Sequence, residues 1–364
     1  MTSWVSPGVT PLTLERALER LESVFIDSAG PEALLARREA RRSGVDDQRL
    51  ARELVAGIVE AQDDDGSWHG ALVPTAESLL LLAELAGRRV TKSVERAARS
   101  GVDWLRRLRG GPGRFGAGCT PERHALGFCH HSLAGFFRPE PPLAPGEELV
   151  LSNGAHYPTG PAAQLAASCL ALRACLRWGD HGPDSWLHLD GLRRLLEHEA
   201  SGESPLVPIE AIPAILLALV EAHALTEARE VIAQMLARLV QTQRADGSWP
   251  ELDAIAILEV LLAAVDAGFG TPEIDAAIRR GAGLLAVTQR ENGMWERDTA
   301  PQRALTGWRV LRLAVRGKVG RVGGAAGARK RRAPTEQAEP AHSRVEQAES
   351  PDPAAEPPGS SDPA

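Results

Sequence analysis

Apolar residues recur at i, i+3, i+4 and i+7 in segments of 12 to 16 residues between positions 11 and 316, as in LARLVQTQ before Arg244 and AIAILEVLLAAV after Asp253. That is the period of an α-helix with one buried face. Gly, Pro, Asp and Asn interrupt the segments at short intervals. Alternation of the strand type is nearly absent, so the pattern predicts an almost all-α protein.

The helices come in repeats. Three passages align without gaps: Gln62-DDDGS-Trp68, Gln243-RADGS-Trp249 and Gln289-RENGM-Trp295. Each closes an apolar helix with Gln, places Gly four residues on and Trp six residues on, and Gln243 and Gln289 are 46 apart. A weaker copy, Arg109-GGPGR-Phe115, begins 47 residues after Gln62. A second apolar helix follows each turn: TAESLLLLAEL, HALGFCHHSLAGFF, DAIAILEVLLAAV and RALTGWRVLRLAV. Glu210-AIPAILLALVEA keeps the helix without the turn, and residues 160–177 belong to another unit. The periodicity amounts to about six helical hairpins.

The turn chemistry has a physical basis. Gly four residues after Gln permits the positive φ that ends a helix. The Gln amide is expected to bind backbone groups freed at that helix end. The Trp ring is expected to cover the turn and aim its N–H at a partner.

Composition changes the picture at the C-terminus. Residues 317–364 carry seven Lys/Arg and seven Asp/Glu among Gly, Pro, Ala and Ser, with almost nothing to bury, and are expected to form a disordered tail. The run Arg329, Lys330, Arg331, Arg332 within it suits an acidic partner or peripheral contact with an anionic membrane, or is a solvated charge run. The net charge of −7 therefore belongs to residues 1–316 and argues against a nucleic-acid partner. No apolar run is long enough to cross a membrane. The opening MTSWVSPGVT lacks the pattern of a secretory signal, and four cysteines in 364 residues make no disulfide scaffold. A cytoplasmic protein with reduced thiols is expected.

The passages AGIVEAQDDDGSW, ARLVQTQRADGSW and GLLAVTQRENGMW resemble the QW repeat of squalene–hopene cyclases and related terpene cyclases, found in looser form in protein prenyltransferase β subunits. The resemblance implies an (α/α)6 toroid over residues 45–316. Its inner helices would line a central cavity with their N-terminal ends, an N-terminal helical segment 1–44 would pack on it, and the tail 317–364 would follow.

Acid-initiated (class II) members carry Asp-x-Asp-Asp-Thr-Ala at the start of an inner helix, and its middle Asp protonates an alkene or epoxide. The nearest match here is Glu251-Leu-Asp253-Ala-Ile-Ala256. The resemblance puts Asp253 in the proton-donating slot and Glu251 in the first, while Ala254 and Ile255 replace the third Asp and the Thr. Asp253 also suits a plain helix N-cap. Glu210 holds the equivalent place one repeat earlier and is expected either to share the cavity with Asp253 or to be an exposed first-turn carboxylate. Phe128, Phe136, Phe137, Tyr157 and Trp308 are the aromatics left to face a carbocation.

The prenyltransferase zinc site needs Asp-x-Cys, which does not occur, so no metal or cofactor is carried over. Cys119, His124, Cys129, His130 and His131 have soft ligand chemistry at a spacing that matches no standard zinc site. Two functions follow. One is a terpene-cyclase-like enzyme acting on an isoprenoid, with Asp253, Glu251 and Glu210 as its acids. The other is a non-catalytic toroid that binds an apolar ligand or a protein partner.

Overall fold

The computed structural model describes residues 10–26, 28–87, 90–109, 148–152, 154–157, 160–202, 207–295 and 301–316. The tail 317–364, the cysteine–histidine group at 119–131, Phe128, Phe136, Phe137 and the Arg109–Phe115 turn beyond Arg109 lie outside the described residues. All described residues fall in one compact unit, Met1–Ala326.

Twelve α-helices occur among the described residues. They are α1 (Pro11–Ile26), α2 (Pro31–Ala40), α3 (Val45–Glu60), α4 (Leu72–Ala86), α5 (Lys92–Leu108), α6 (Gly160–Arg177), α7 (Pro183–Ser201), α8 (Ile212–Glu221), α9 (Arg229–Thr242), α10 (Ala254–Asp266), α11 (Pro272–Thr288) and α12 (Pro301–Arg316). The strands among them are β1 (Leu149–Val150) and β2 (His156–Tyr157), paired antiparallel with Leu149 opposite Tyr157.

The even-numbered helices touch in order: α2 to α4, α4 to α6, α6 to α8, α8 to α10, α10 to α12, and α12 back to α2. The odd-numbered helices pack against them, with α1 on α12, α5 on α4, α9 on α8 and α11 on α10 and α12. Burial follows this division. α8, IPAILLALVE, buries seven of its ten residues, as a helix apolar nearly all round must. α5 buries Val94, Ala97, Ala98, Val102, Leu105 and Leu108 on one face and leaves its arginines on the other.

The three turns share one construction. Gly66, Gly247 and Gly293 have φ of 95°, 91° and 83°. A Cβ on Gly247 would overlap the Arg280 carbonyl, and one on Gly66 would lie 2.6 Å from Ser100 O, so these positions need glycine for both conformation and space. Trp68, Trp249 and Trp295 donate through Nε1 to the carbonyls of Ile58, Leu239 and Leu285, at 2.7, 2.7 and 2.8 Å. The glutamine amides do not cap the end of the preceding helix as expected, but bond within the turn and across to another helix. Each Nε2 donates within its turn, to Gly66, Gly247 or Gly293 O. Each also donates to a further odd-numbered helix: Gln62 to Ala97 O in α5, Gln243 to Ala277 O in α11, and Gln289 to Ala17 O in α1. The last bond shows α1 standing to the third turn as α5 and α11 stand to the first two.

Between α6 and α7, Asp180 is buried, and its carboxylate takes Arg106 Nη2 and Arg109 Nη2 at 2.7 Å each. Burial alone would raise its pKa, but hydrogen bonds and charge from the two arginines prevail and bring it down to about 2. A carboxyl with a depressed folded-state pKa stabilises the fold above its unfolded value, and that stability fades as pH falls toward the folded value. Asp180→Asn is therefore expected to lose about 2 kcal/mol at pH 7, with the gap to wild type closing between about pH 4 and pH 2. Urea denaturation at several pH values measures it; a gap independent of pH would refute the assignment.

Candidate functional site

Asp253 sits at the N-cap of α10. Its Oδ1 accepts from the Ile255 and Ala256 amides at 2.7 and 3.2 Å, and its Oδ2 accepts from Arg303 Nη1 at 2.5 Å. Every partner is an N–H donor, the surroundings that suit a carboxylate acting as acceptor. Neither other carboxylate of the sequence motif joins it. Glu251 lies in the turn before α10 with φ 60° and is exposed. Glu210 lies in the short 3-10 turn Ile209–Ala211 ahead of α8. Neither is among the partners of Asp253.

Arg303, in the first turn of α12, was not singled out by the sequence pattern. Its signal was available: a basic residue at the start of the apolar helix one repeat after that of Asp253. Glu77 on α4 was missed as well. Its carboxylate accepts the Ser152 amide at 2.7 Å. Burial raises its pKa, against the lowering effect of that bond.

Further along the even helices the charges pair across neighbours. Arg173 of α6 gives Nε and Nη2 to the two oxygens of Glu221 of α8, at 2.9 and 2.7 Å. Arg309 of α12 binds Glu39 of α2, its Nη2 at 2.5 Å from Oε1. Glu84 and Glu259 act electrostatically on both arginines. Burial opposes the charge of each arginine, and the carboxylates more than offset it, so both pKa values are raised. Sequence reading gives such residues no mark, because Glu and Arg on a helix look the same whether they face solvent or neighbouring helices.

Between α6, α8 and α10 lies a cavity of about 20 Å³, lined by Tyr157, Cys169, Arg173, Leu217, Glu259 and others. That is room for about one water, against roughly 300–1,000 Å³ for a typical ligand pocket. Tyr157 is buried, and burial, then the charge of Glu259, pushes its pKa up. Burial also pushes the Cys169 thiol up to about 12. Trp308 is buried in α12 with the Arg312 guanidinium 4.9 Å from its ring centroid, so its face is already occupied by a cation.

Among the described residues no group of three His, Cys, Asp or Glu is placed to hold a metal ion. No described helix is long and apolar enough to cross a membrane. Comparison with known proteins yields no match: no family, no curated protein and no solved structure is significantly similar to this chain.

Proposed function

We propose that the helical part of the chain is an (α/α)6 toroid of the QW-repeat kind and that it binds a protein partner, without acid-initiated cyclisation. The even helices form the inner layer and the odd helices the outer. Two observations support the toroid: the contact order that returns from α12 to α2, and the Gln289 bond to α1, which repeats the bonds made by Gln62 and Gln243. The terpene-cyclase-like resemblance agrees with it.

One observation carries the choice of binding over cyclisation. A proton donor to carbon must hold an acidic O–H facing the substrate. Asp253 spends both oxygens on three N–H donors, one of them the Arg303 guanidinium. The lining points the same way. A carbocation is steadied by several aromatic faces, whereas this cavity wall offers Tyr157 alone, beside the Arg173 guanidinium and the Glu259 carboxylate. The cavity has room for about one water, and Arg173 is already paired with Glu221, so a binding role falls to the outer surface and a protein partner.

Incubation of the full chain with linear isoprenoids and their diphosphates tests this. No cyclised product is expected. A product that forms with wild type and disappears in Asp253→Asn at matched stability would restore Asp253 as the acid and overturn the binding reading.

A further inference from the structure

Helix α5 carries five Lys/Arg against two Asp/Glu over Lys92–Leu108. No other odd-numbered helix among the described residues has that balance. Acids outnumber bases in α1, α3 and α7, bases exceed acids by one in α9, and the two are equal in α11. The surplus sits toward one end of α5. Arg106 is held by Asp103 and Asp180, and Arg107 donates Nη2 to Asp65 O at 2.7 Å. Lys92, Arg96 and Arg99, by contrast, are all exposed. None of the three takes part in an ion pair or a side-chain hydrogen bond among the described residues, and neither does the neighbouring Glu95. They stand at i, i+4 and i+7, so their side chains line one face over roughly 10 Å.

This arrangement works against the helix. Like charges three and four residues apart repel, and Lys92 stands in the first turn, where the helix dipole disfavours a cation. On other odd-numbered helices such charges are met locally: Arg49 binds Asp46 and Glu53, and Arg193 binds Asp190 and Glu197. A local rule broken without compensation inside the fold marks a functional surface. We infer that Lys92, Arg96 and Arg99 form a docking stripe for an acidic segment of a partner protein. The inference rests on the protein-partner reading and gives that partner its chemistry. Charge complementarity selects the class. A nucleic-acid strand that binds by charge typically uses roughly 6–10 phosphate contacts. The stripe offers three cations, and the Asp63–Asp65 turn, bonded to Trp104 and Arg107 farther along α5, repels phosphate. Stable anchoring to a lipid surface takes a second, apolar signal, and the exposed residues of α5 are all polar. Carboxylates spaced along a protein segment match both the length and the charge of the stripe.

Fluorescence anisotropy of a fluorescein-labelled oligoglutamate, titrated with the full chain, tests the stripe. Saturable binding that weakens with added salt is expected. Lys92→Gln, Arg96→Gln and Arg99→Gln together are expected to weaken it at least about tenfold. Replacement of Arg329, Lys330, Arg331 and Arg332 in the tail by glutamine is expected to change it less than about threefold. The triple variant is also expected to melt at or above the wild-type temperature, because it relieves repulsion and breaks no bond. No saturable binding by wild type would overturn the docking stripe. Binding lost in the tail variant but kept in the triple variant would do so too, as would a triple variant that melts below wild type. Tighter binding of oligothymidylate or of phosphatidylserine vesicles than of oligoglutamate, lost in the triple variant, would give the stripe to phosphate instead. Failure of the stripe leaves the protein-partner reading to other surfaces, whereas a cyclised isoprenoid product removes that reading itself.

Discussion

Trp249→Ala is expected to destabilise the protein by about 3–5 kcal/mol, the usual cost of removing a packed aromatic side chain. The indole is 4% exposed, and its N–H is satisfied by Leu239 O at 2.7 Å. Truncation leaves a void beneath the turn and leaves the Leu239 carbonyl with Thr242 Oγ1 at 3.1 Å in place of two side-chain donors. The turn cannot collapse into that void, since Gly247 already lies against the Arg280 carbonyl and Gln243 is tied to Ala277 O. Urea unfolding followed by far-ultraviolet circular dichroism measures the change. A loss below about 1 kcal/mol, typical of surface substitutions, would mean that the tryptophan does not hold the turn.

Removal of residues 1–26 is expected to abolish cooperative folding. Helix α1 contributes buried Ala17, Leu18, Leu21 and Phe25, and packs on α2, α11 and α12. Full burial of one Leu or Phe side chain is worth about 1.5–3 kcal/mol. The deletion also bares the surfaces opposite and takes away the Ala17 carbonyl from buried Gln289. The total is comparable with the roughly 5–15 kcal/mol that stabilises a whole domain. The measurement is a urea titration of the shortened chain. A sharp transition at the wild-type midpoint would show that the fold stands without α1 and that α1 is an appendage.

Much of the secondary structure was legible because its causes are local. The spacing of apolar residues predicts α4, α9, α10, α11 and α12, and each Gln-to-Trp turn contains within seven residues most of what it needs. Asp65, Asp246 and Asn292 each accept the amide two residues on, at 2.9, 2.9 and 3.1 Å. The Trp N–H finds a carbonyl ten residues back in the preceding helix. The small hairpin at 149–157 left no comparable trace, since two-residue strands have no period to detect.

The candidate site was legible only in part. Asp253 stands out in the sequence by position and type, and its N-cap bonds follow from being two and three residues from Ile255 and Ala256. Its pairing with Arg303 spans 50 residues, that of Arg309 with Glu39 spans 270, and that of Ser152 with Gln302 spans 150. Sequence alone thus determined the helices, the glycine-bearing turns and the repeat, because hydrophobic period and turn chemistry act over a few residues. Only the tertiary structure decided that Asp253 faces a guanidinium, that α1 accepts the third glutamine through a backbone carbonyl with no side-chain signature, and that a short hairpin lies across α4 and α12. Those choices depend on which helices become neighbours, and neighbourhood is set by the packing of all of them at once.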